Sequence, residues 1–317
     1  MRSRQGIRKR NETMGTKEEQ IAQIQGMKKK HNAVILAHYY QNAEVQQVAD
    51  FLGDSLDLSQ KAADNDADVV VFCGVKFMAE TAKILSPQKT VLLPREDAGC
   101  LMADMINADD IRALKEEHPD ATVVGYVNTT AEVKALCDYC CTSANAVKLV
   151  RAIPGNKILF LPDRNLGQYI AAQVPEKTFV FAEGFCPTHH FIEPEDVRQA
   201  REEIPDGEIL AHPECRPEVL SLVDFVGSTS QILKRARESS SLRIVVCTEQ
   251  GILYKLQKDS PNKEFIMLSP KLVCPNMKKI TLDDVHRSLS RMEPQIDVED
   301  SIRVKALTAL ERMLQNV

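Results

Sequence analysis

The chain has 317 residues, 44% hydrophobic and 27% charged, an ordinary balance for a globular protein. Its 40 Lys and Arg against 45 Asp and Glu leave a formal charge of −5, which excludes the basic surface a general nucleic-acid binder needs. No apolar run approaches the ~18 residues of a membrane-spanning helix, and at ~150 residues per domain the length admits two or three domains.

The first residues, MRSRQGIRKRNETMGTKEEQ, are basic and polar and lack the apolar core of a secretory signal. They read as a cytoplasmic protein with a flexible N-terminal extension over 1–18. TKEEQIAQIQGMKKK then reads as a helix. From residue 33 a longer unit begins, and it occurs three times. Residues 33–55 (AVILAHYYQNAEVQQVADFLGDS), 121–143 (ATVVGYVNTTAEVKALCDYCCTS) and 207–229 (GEILAHPECRPEVLSLVDFVGST) align without a gap. Glu44, Glu132 and Glu218 coincide, each followed by Val; Asp50, Asp138 and Asp224 coincide, each followed by an aromatic residue. Each unit reads as a strand (VILA, TVVG, EILA), a polar loop and an amphipathic helix. A second strand (DVVVF, KILFL, RIVVC), a second helix and a third strand (TVLL, TFVF, EFIML) follow. Short apolar strands between helical stretches indicate a parallel sheet covered on both faces. The expected fold is α/β: three pseudo-symmetric small Rossmann-like αβα sandwich domains around a central active site, over 19–100, 101–186 and 187–274. A C-terminal helical tail over 275–317, containing ITLDDVHRSLSR, is expected to pack back on the first repeat.

Nine cysteines in a chain of this length without a secretory signal do not read as a disulfide scaffold. Three recur with the period of the repeat: Cys100 in REDAGC, Cys186 in AEGFC and Cys274 in SPKLVC, each after the third strand of its unit. Ligands of open α/β sheets bind beyond the carboxyl ends of the strands, so three equivalent thiols can converge there. Three thiolates suit zinc with a fourth ligand, for which His189 in C-P-T-H is nearest, or an iron–sulfur cluster with one open iron. Spacing alone leaves both standing. Cys73, Cys137, Cys140, Cys141, Cys215 and Cys247 lack the threefold relation and read as packing. The first-strand ends carry a second set, His38, Tyr126 and His212, with Tyr40, Asn128 and Glu214 two residues further on. Imidazole, phenol and carboxylate supply proton transfer. Glu214 is the expected base, because a carboxylate in a desolvated cleft titrates nearer neutrality. A third set, Ser55, Ser143 and Thr229, starts fresh helical stretches, where hydroxyls cap helices and helix N-termini also bind anions.

The segments AHYYQ, GDSL, AGCLMADM, YVNTTAEVKA, CCTSANA, FLPDRNLG, GFCPTHH, AHPEC, GSTSQI, CTEQG and CPNMKKI together resemble quinolinate synthase, a family of de novo NAD biosynthesis, from about residue 20 to the tail. The resemblance implies a transferase that condenses iminoaspartate with dihydroxyacetone phosphate to quinolinate, phosphate and water. It implies a [4Fe–4S] cluster on Cys100, Cys186 and Cys274, with the open iron as Lewis acid, and so a cluster rather than zinc. It places substrate on His38, Ser55, Tyr126, Asn128, Ser143, His212, Glu214 and Thr229, with Tyr40 beside them. Proton transfer falls to Glu214, Tyr126, His38 and His212. The implied partners are the two small-molecule substrates, with a functional link to an aspartate oxidase left open, and neither nucleic acid nor membrane. Two departures stand out. Leu101 follows the first ligand in place of Pro, and Cys274 is followed by Pro275, Asn276 and Met277, without the C-x-x-C pair of some members. A non-enzymatic iron–sulfur sensor or electron carrier and a zinc-dependent hydrolase remain as alternatives.

Overall fold

The computed structural model describes residues 16–315. The expected N-terminal extension lies outside these residues except for 16–18. There a capping box between Thr16 and Glu19 already starts helix α1 (Lys17–Lys30). The first unit follows as β1 (Ala33–His38), α2 (Ala43–Val48), β2 (Phe51–Gly53), α3 (Ser55–Ala63), β3 (Val69–Cys73), α4 (Lys76–Leu85) and β4 (Thr90–Leu92). Helix α5 (Ala108–Glu117) leads into the second: β5 (Thr122–Tyr126), α6 (Ala131–Lys134), β6 (Tyr139–Cys141), α7 (Ala146–Ala152), β7 (Lys157–Leu161), α8 (Arg164–Gln173) and β8 (Thr178–Phe181). Helices α9 (Pro187–His190) and α10 (Pro194–Glu203) lead into the third: β9 (Glu208–Ala211), α11 (Pro217–Leu220), β10 (Phe225–Val226), α12 (Thr229–Glu238), β11 (Arg243–Cys247), α13 (Ile252–Asp259) and β12 (Glu264–Met267). Helices α14 (Leu282–Arg291) and α15 (Asp300–Gln315) close the chain. No helix among the described residues is long and apolar enough to cross a membrane.

The three sheets are parallel and share one strand order: β2-β1-β3-β4, β6-β5-β7-β8 and β10-β9-β11-β12. The fold is α/β with three Rossmann-like units. Each unit holds one strand more than its apolar runs suggest. The extra edge strands β2, β6 and β10 have two or three residues, too few to display a hydrophobic period. The repeated Asp explains how such short strands pair. Asp50 accepts the Ile35 N–H at 2.7 Å, Asp138 the Val123 N–H at 2.8 Å and Asp224 the Ile209 N–H at 2.7 Å. Each Asp also donates its own N–H to the carbonyl of the same residue, so side chain and backbone together open the ladder.

Within each sheet the chain leaves the second and third positions in opposite directions. The crevice at their carboxyl ends is the natural ligand position of such a sheet. One continuous apolar core joins the first two units, the tail and one face of the third. The opposite face of the third unit packs separately around Ile192, Val197, Ile209, Val219 and Leu272. The tail expected on the first repeat reaches it through α14, which lies on α1, α2 and β3. Helix α15 instead lies mainly on β6 and α6 of the second unit, and on α4. Strand β6 is an open edge, and α15 covers it with Ala306, Ala309, Leu310 and Met313.

Candidate active site

The loops beyond the strand ends of all three units enclose one cavity of about 280 Å³. His38, Tyr40, Ser55, Tyr126, Asn128, Ser143, His212, Glu214, Thr229, Cys100, Cys186 and Cys274 all line it. The twelve positions picked from the repeat therefore meet in one place. His38 and Tyr126 are the last residues of β1 and β5, and His212 directly follows β9. The first and third units then make the same turn. The Tyr40 N–H donates to His38 Nδ1 at 3.1 Å, and the Glu214 N–H to His212 Nδ1 at 3.3 Å. An Nδ1 that accepts leaves the proton on Nε2. The His212 Nε2–H accordingly meets Ser143 Oγ at 3.2 Å. Burial, then the neighbouring His212 and Lys278, pushes His38 down to about 3. Burial, with His189 adding to it, pushes His212 down to about 4. Both rings are neutral at pH 7.

Glu214 departs from expectation. Burial works to raise its carboxyl, but His212, His189 and Tyr126 outweigh it and hold the group below the usual carboxylate range. His189 Nδ1 lies 2.8 Å from Oε2, and the Tyr126 hydroxyl donates to Oε1 at 2.8 Å. Burial does not make Glu214 the near-neutral base, because donors already hold its charge. On the other side of the imidazole that meets Glu214, His189 Nε2 lies 2.9 Å from Thr248 Oγ1. Thr248 meets the Tyr40 hydroxyl at 2.5 Å, and Thr229 Oγ1 donates to that hydroxyl at 2.9 Å. A hydrogen-bonded chain thus runs Thr229–Tyr40–Thr248–His189–Glu214, crossing from first-unit to third-unit groups. Burial raises the Tyr40 and Tyr126 hydroxyls well above their ordinary value, so both stay protonated donors.

His189 and Thr248 went unassigned in the repeat because neither has a symmetric counterpart. The positions equivalent to Thr248 are Gly74 and Pro162. Only the C-P-T-H spacing hinted at His189.

The hydroxyl set is also not a set of caps. Asp54 caps α3 through the Leu56 and Asp57 N–H groups, and Ser228 caps α12 through the Gln231 N–H. Ser55 and Thr229 are the first residues inside those helices, and Ser143 precedes the cap position of α7, Asn145. A cap must occupy the residue directly before the helix to reach the free N–H groups, and none of the three does. Asn128 Oδ1 is buried and has no protein partner.

Cys100, Cys186 and Cys274 are half-buried, whereas the other six cysteines are buried. Burial raises all three thiols, Cys100 to about 12; Cys274 adds to the shift of Cys100, and Cys100 and Cys274 add to that of Cys186. The backbone N–H groups of Met102 and Ala103 face the Cys100 sulfur, and those of Asn276 and Met277 face that of Cys274. Such donors stabilise thiolates once a metal displaces the protons, so the residues fit a thiolate-held group. Among the described residues, Cys186, His189 and Glu214 form the one His, Cys and acid group compact enough for a single ion, their ligand atoms lying within 4.8 Å of one another.

Residues 22–315 match the family described as Quinolinate synthetase A protein. The chain is 52% identical to the quinolinate synthase of Alkaliphilus metalliredigens over 295 residues, 93% of this chain and 97% of that one. It is 52% identical to that of Caldicellulosiruptor saccharolyticus over 293 residues, 92% and 97% of the two chains. It is 50% identical to that of Thermodesulfovibrio yellowstonii over 294 residues, 93% and 97%. With three equivalent thiols and their polar sets on one cavity, and with likeness of this extent, the chain belongs to the quinolinate synthetase A family of biosynthetic enzymes.

Proposed function

We propose that the enzyme condenses iminoaspartate with dihydroxyacetone phosphate to quinolinate, releasing phosphate and water, in the cavity bounded by Cys100, Cys186 and Cys274. The observation that carries this reading is the convergence on one cavity of one thiol and a matching polar set from each of three units. We read 19–100, 101–186 and 187–274 as three domains, each contributing one ligand, with 275–317 as a tail. The three cysteines would hold a [4Fe–4S] cluster, which when bound supplies one iron without a protein ligand as a Lewis acid. Thiolates on different irons of one cluster need not converge on one point. The position of Cys100 and Cys274 outside the compact Cys186–His189–Glu214 group suits a cluster better than zinc.

The chain's own residues supply the rest. Both substrates are anions. The hydroxyls of Ser55 and Ser143 offer donors to their carboxylate and phosphate oxygens, and the Thr229 hydroxyl and the His212 Nε2–H, which rest on Tyr40 and Ser143, would turn to the same oxygens. Asn128 Oδ1 accepts from a substrate N–H or O–H, which ends its unpartnered burial. Glu214 accepts from His189 Nδ1–H and so orients Nε2 toward Thr248. His189 can then draw a proton along Thr248 and Tyr40 from the cavity, the arrangement of an activated hydroxyl, imidazole and carboxylate. Tyr126 and His38 stand ready as further donors to departing oxygens. Iminoaspartate, an unstable imine, would come from an amine-oxidising enzyme such as an aspartate oxidase.

Anaerobic iron, sulfide and zinc assays on purified variants test the ligand set. Ala at Cys100, Cys186 or Cys274 is expected to abolish iron binding and quinolinate formation, and Ala at Cys137, Cys140 or Cys215 to leave iron in place. Zinc bound through Cys186, His189 and Glu214, with Cys100 and Cys274 dispensable, would overturn the reading in favour of the hydrolase alternative.

A further inference from the structure

Two fully buried carboxylates have no part in this chemistry, Asp163 and Glu249. Each stands two residues beyond the end of the third-position strand of its sheet, β7 or β11; the equivalent after β3 is Val75. All three units share one backbone tie beside this point. The N–H groups of Lys76, Arg164 and Gln250 donate to the carbonyls of Ala98, Gly184 and Leu272 at 2.8, 2.8 and 2.9 Å, two residues before each cavity cysteine. In two units the carboxylate adds a second tie. The Cys186 N–H donates to Asp163 Oδ2 at 2.9 Å, and the Cys274 N–H to Glu249 Oε1 at 3.1 Å. The other oxygen of each holds the start of the next helix, through the Leu166 N–H at 2.8 Å and the Gly251 N–H at 2.7 Å. Lys278 pairs with Glu249 at 2.9 Å. Val75 has an apolar side chain and offers no acceptor to Cys100.

We propose that Asp163 and Glu249 are positioning residues that lock the Cys186 and Cys274 loops to their strand ends, so that two of the three thiols are presented rigidly and Cys100 rests on its backbone tie. This deepens the ligand reading above and depends on it. Each carboxylate spans two elements with its two oxygens, which one amide cannot do. The amide oxygen of Asp163→Asn or Glu249→Gln can still accept from the helix start, while its NH₂ faces the cysteine N–H with no acceptor. Asp163→Asn therefore separates helix capping from the cysteine tie, while Glu249→Gln also gives up the charge that pairs with Lys278.

The test uses the full chain loaded with iron and sulfide under anaerobic conditions. An iron chelator is added, and the loss of visible absorbance is followed beside a thermal melt. Asp163→Asn and Glu249→Gln are expected to lose iron up to about tenfold faster than wild type, the scale of one lost hydrogen bond, with little change in melting for Asp163→Asn and a lower melting temperature for Glu249→Gln, which also loses its pairing with Lys278. The electron paramagnetic resonance spectrum of the reduced protein should shift as well. Glu249→Gln carries the test should Asp163→Asn fail to fold. Wild-type release rates and an unchanged spectrum in the amide variants, while Cys186→Ala and Cys274→Ala still lose iron, would overturn the proposal and leave the ligand reading intact. Iron retained in those Ala variants would instead overturn the ligand reading.

Discussion

Glu214 sits where His189, Tyr126 and His212 converge, and a carboxylate holding two donors cannot be replaced by an amide without losing one of them. Glu214→Gln is expected to keep iron and lose turnover by ~100-fold or more, the scale of general acid–base catalysis. Thr248→Val, close to isosteric, breaks the chain between Tyr40 and His189 and should fall in the same direction; near-normal turnover there would reduce the chain to a structural network. The hydroxyls call for a different readout. With Asp54 capping α3, Ser55→Ala should change stability by no more than ~0.5 kcal/mol yet raise the KM of an anionic substrate. A lowered melting temperature with unchanged kinetics would return Ser55 to a helix-end role. His38 gives a pH signature. Its folded value of about 3 lies below the ordinary 6.5 of a histidine, through burial and the facing His212 and Lys278, against Glu214. The unfolded chain therefore binds the extra proton, so this contribution is full above pH ~6.5 and fades as pH falls toward 3. Urea midpoints between pH 6.5 and 4 should drop less steeply in His38→Asn, and identical slopes would refute this. The repeat made legible the residues that symmetry places three times. His189 and Thr248 have no symmetric counterparts, so no period in the chain carries them.

At the scale of elements, the short edge strands depend on side chains as much as on ladder bonds. Asp50 and Asp224 also pair with Lys28 and Arg201, so Asp138 isolates the effect best. Asp138→Ala leaves the Val123 N–H without its carboxylate at a part-buried site and should destabilise by ~1–3 kcal/mol in denaturant titration. A change near zero would mean that β6 pairs without it. The strands with continuous apolar runs, such as Val69–Cys73 with every residue buried, were legible because burial on both faces leaves no polar alternation to misread. Strands β2, β6 and β10 were not, since two or three residues carry no pattern. The repeated Asp was the visible trace of them, a side chain standing in for missing ladder. Helix α15 was readable as a helix, but not its seat, because the β6 edge it covers was itself hidden.

At the scale of the whole molecule, the hydrogen-bonded chain holds only if the first and third units stay in register, because Tyr40 comes from one and Thr229 and Thr248 from the other. The seam between them is built on backbone. Gln46 Nε2 bonds the carbonyls of Tyr39, Gln41 and Gly251, each at 2.9 Å, and Lys278 Nζ reaches both the Tyr40 carbonyl and Glu249. Gly251 lies so close that an added Cβ would sit 2.6 Å from the Tyr40 carbonyl carbon and oxygen. Backbone on that side cannot swing away as a flexible side chain would, so the units themselves must part. Gly251→Ala should therefore lower the melting temperature and reduce turnover together, by moving Tyr40 off Thr248 and Thr229. Gly26, in α1, is the counter-case, because a Cβ there meets nothing within 4 Å. Gly26→Ala should stabilise by ~0.5–1 kcal/mol through helix propensity, with kinetics unchanged. Paired thermal melts and steady-state kinetics decide it. If Gly251→Ala melts and turns over like Gly26→Ala, the seam has slack, and the alignment of Tyr40 with the third unit must come from elsewhere in the interface.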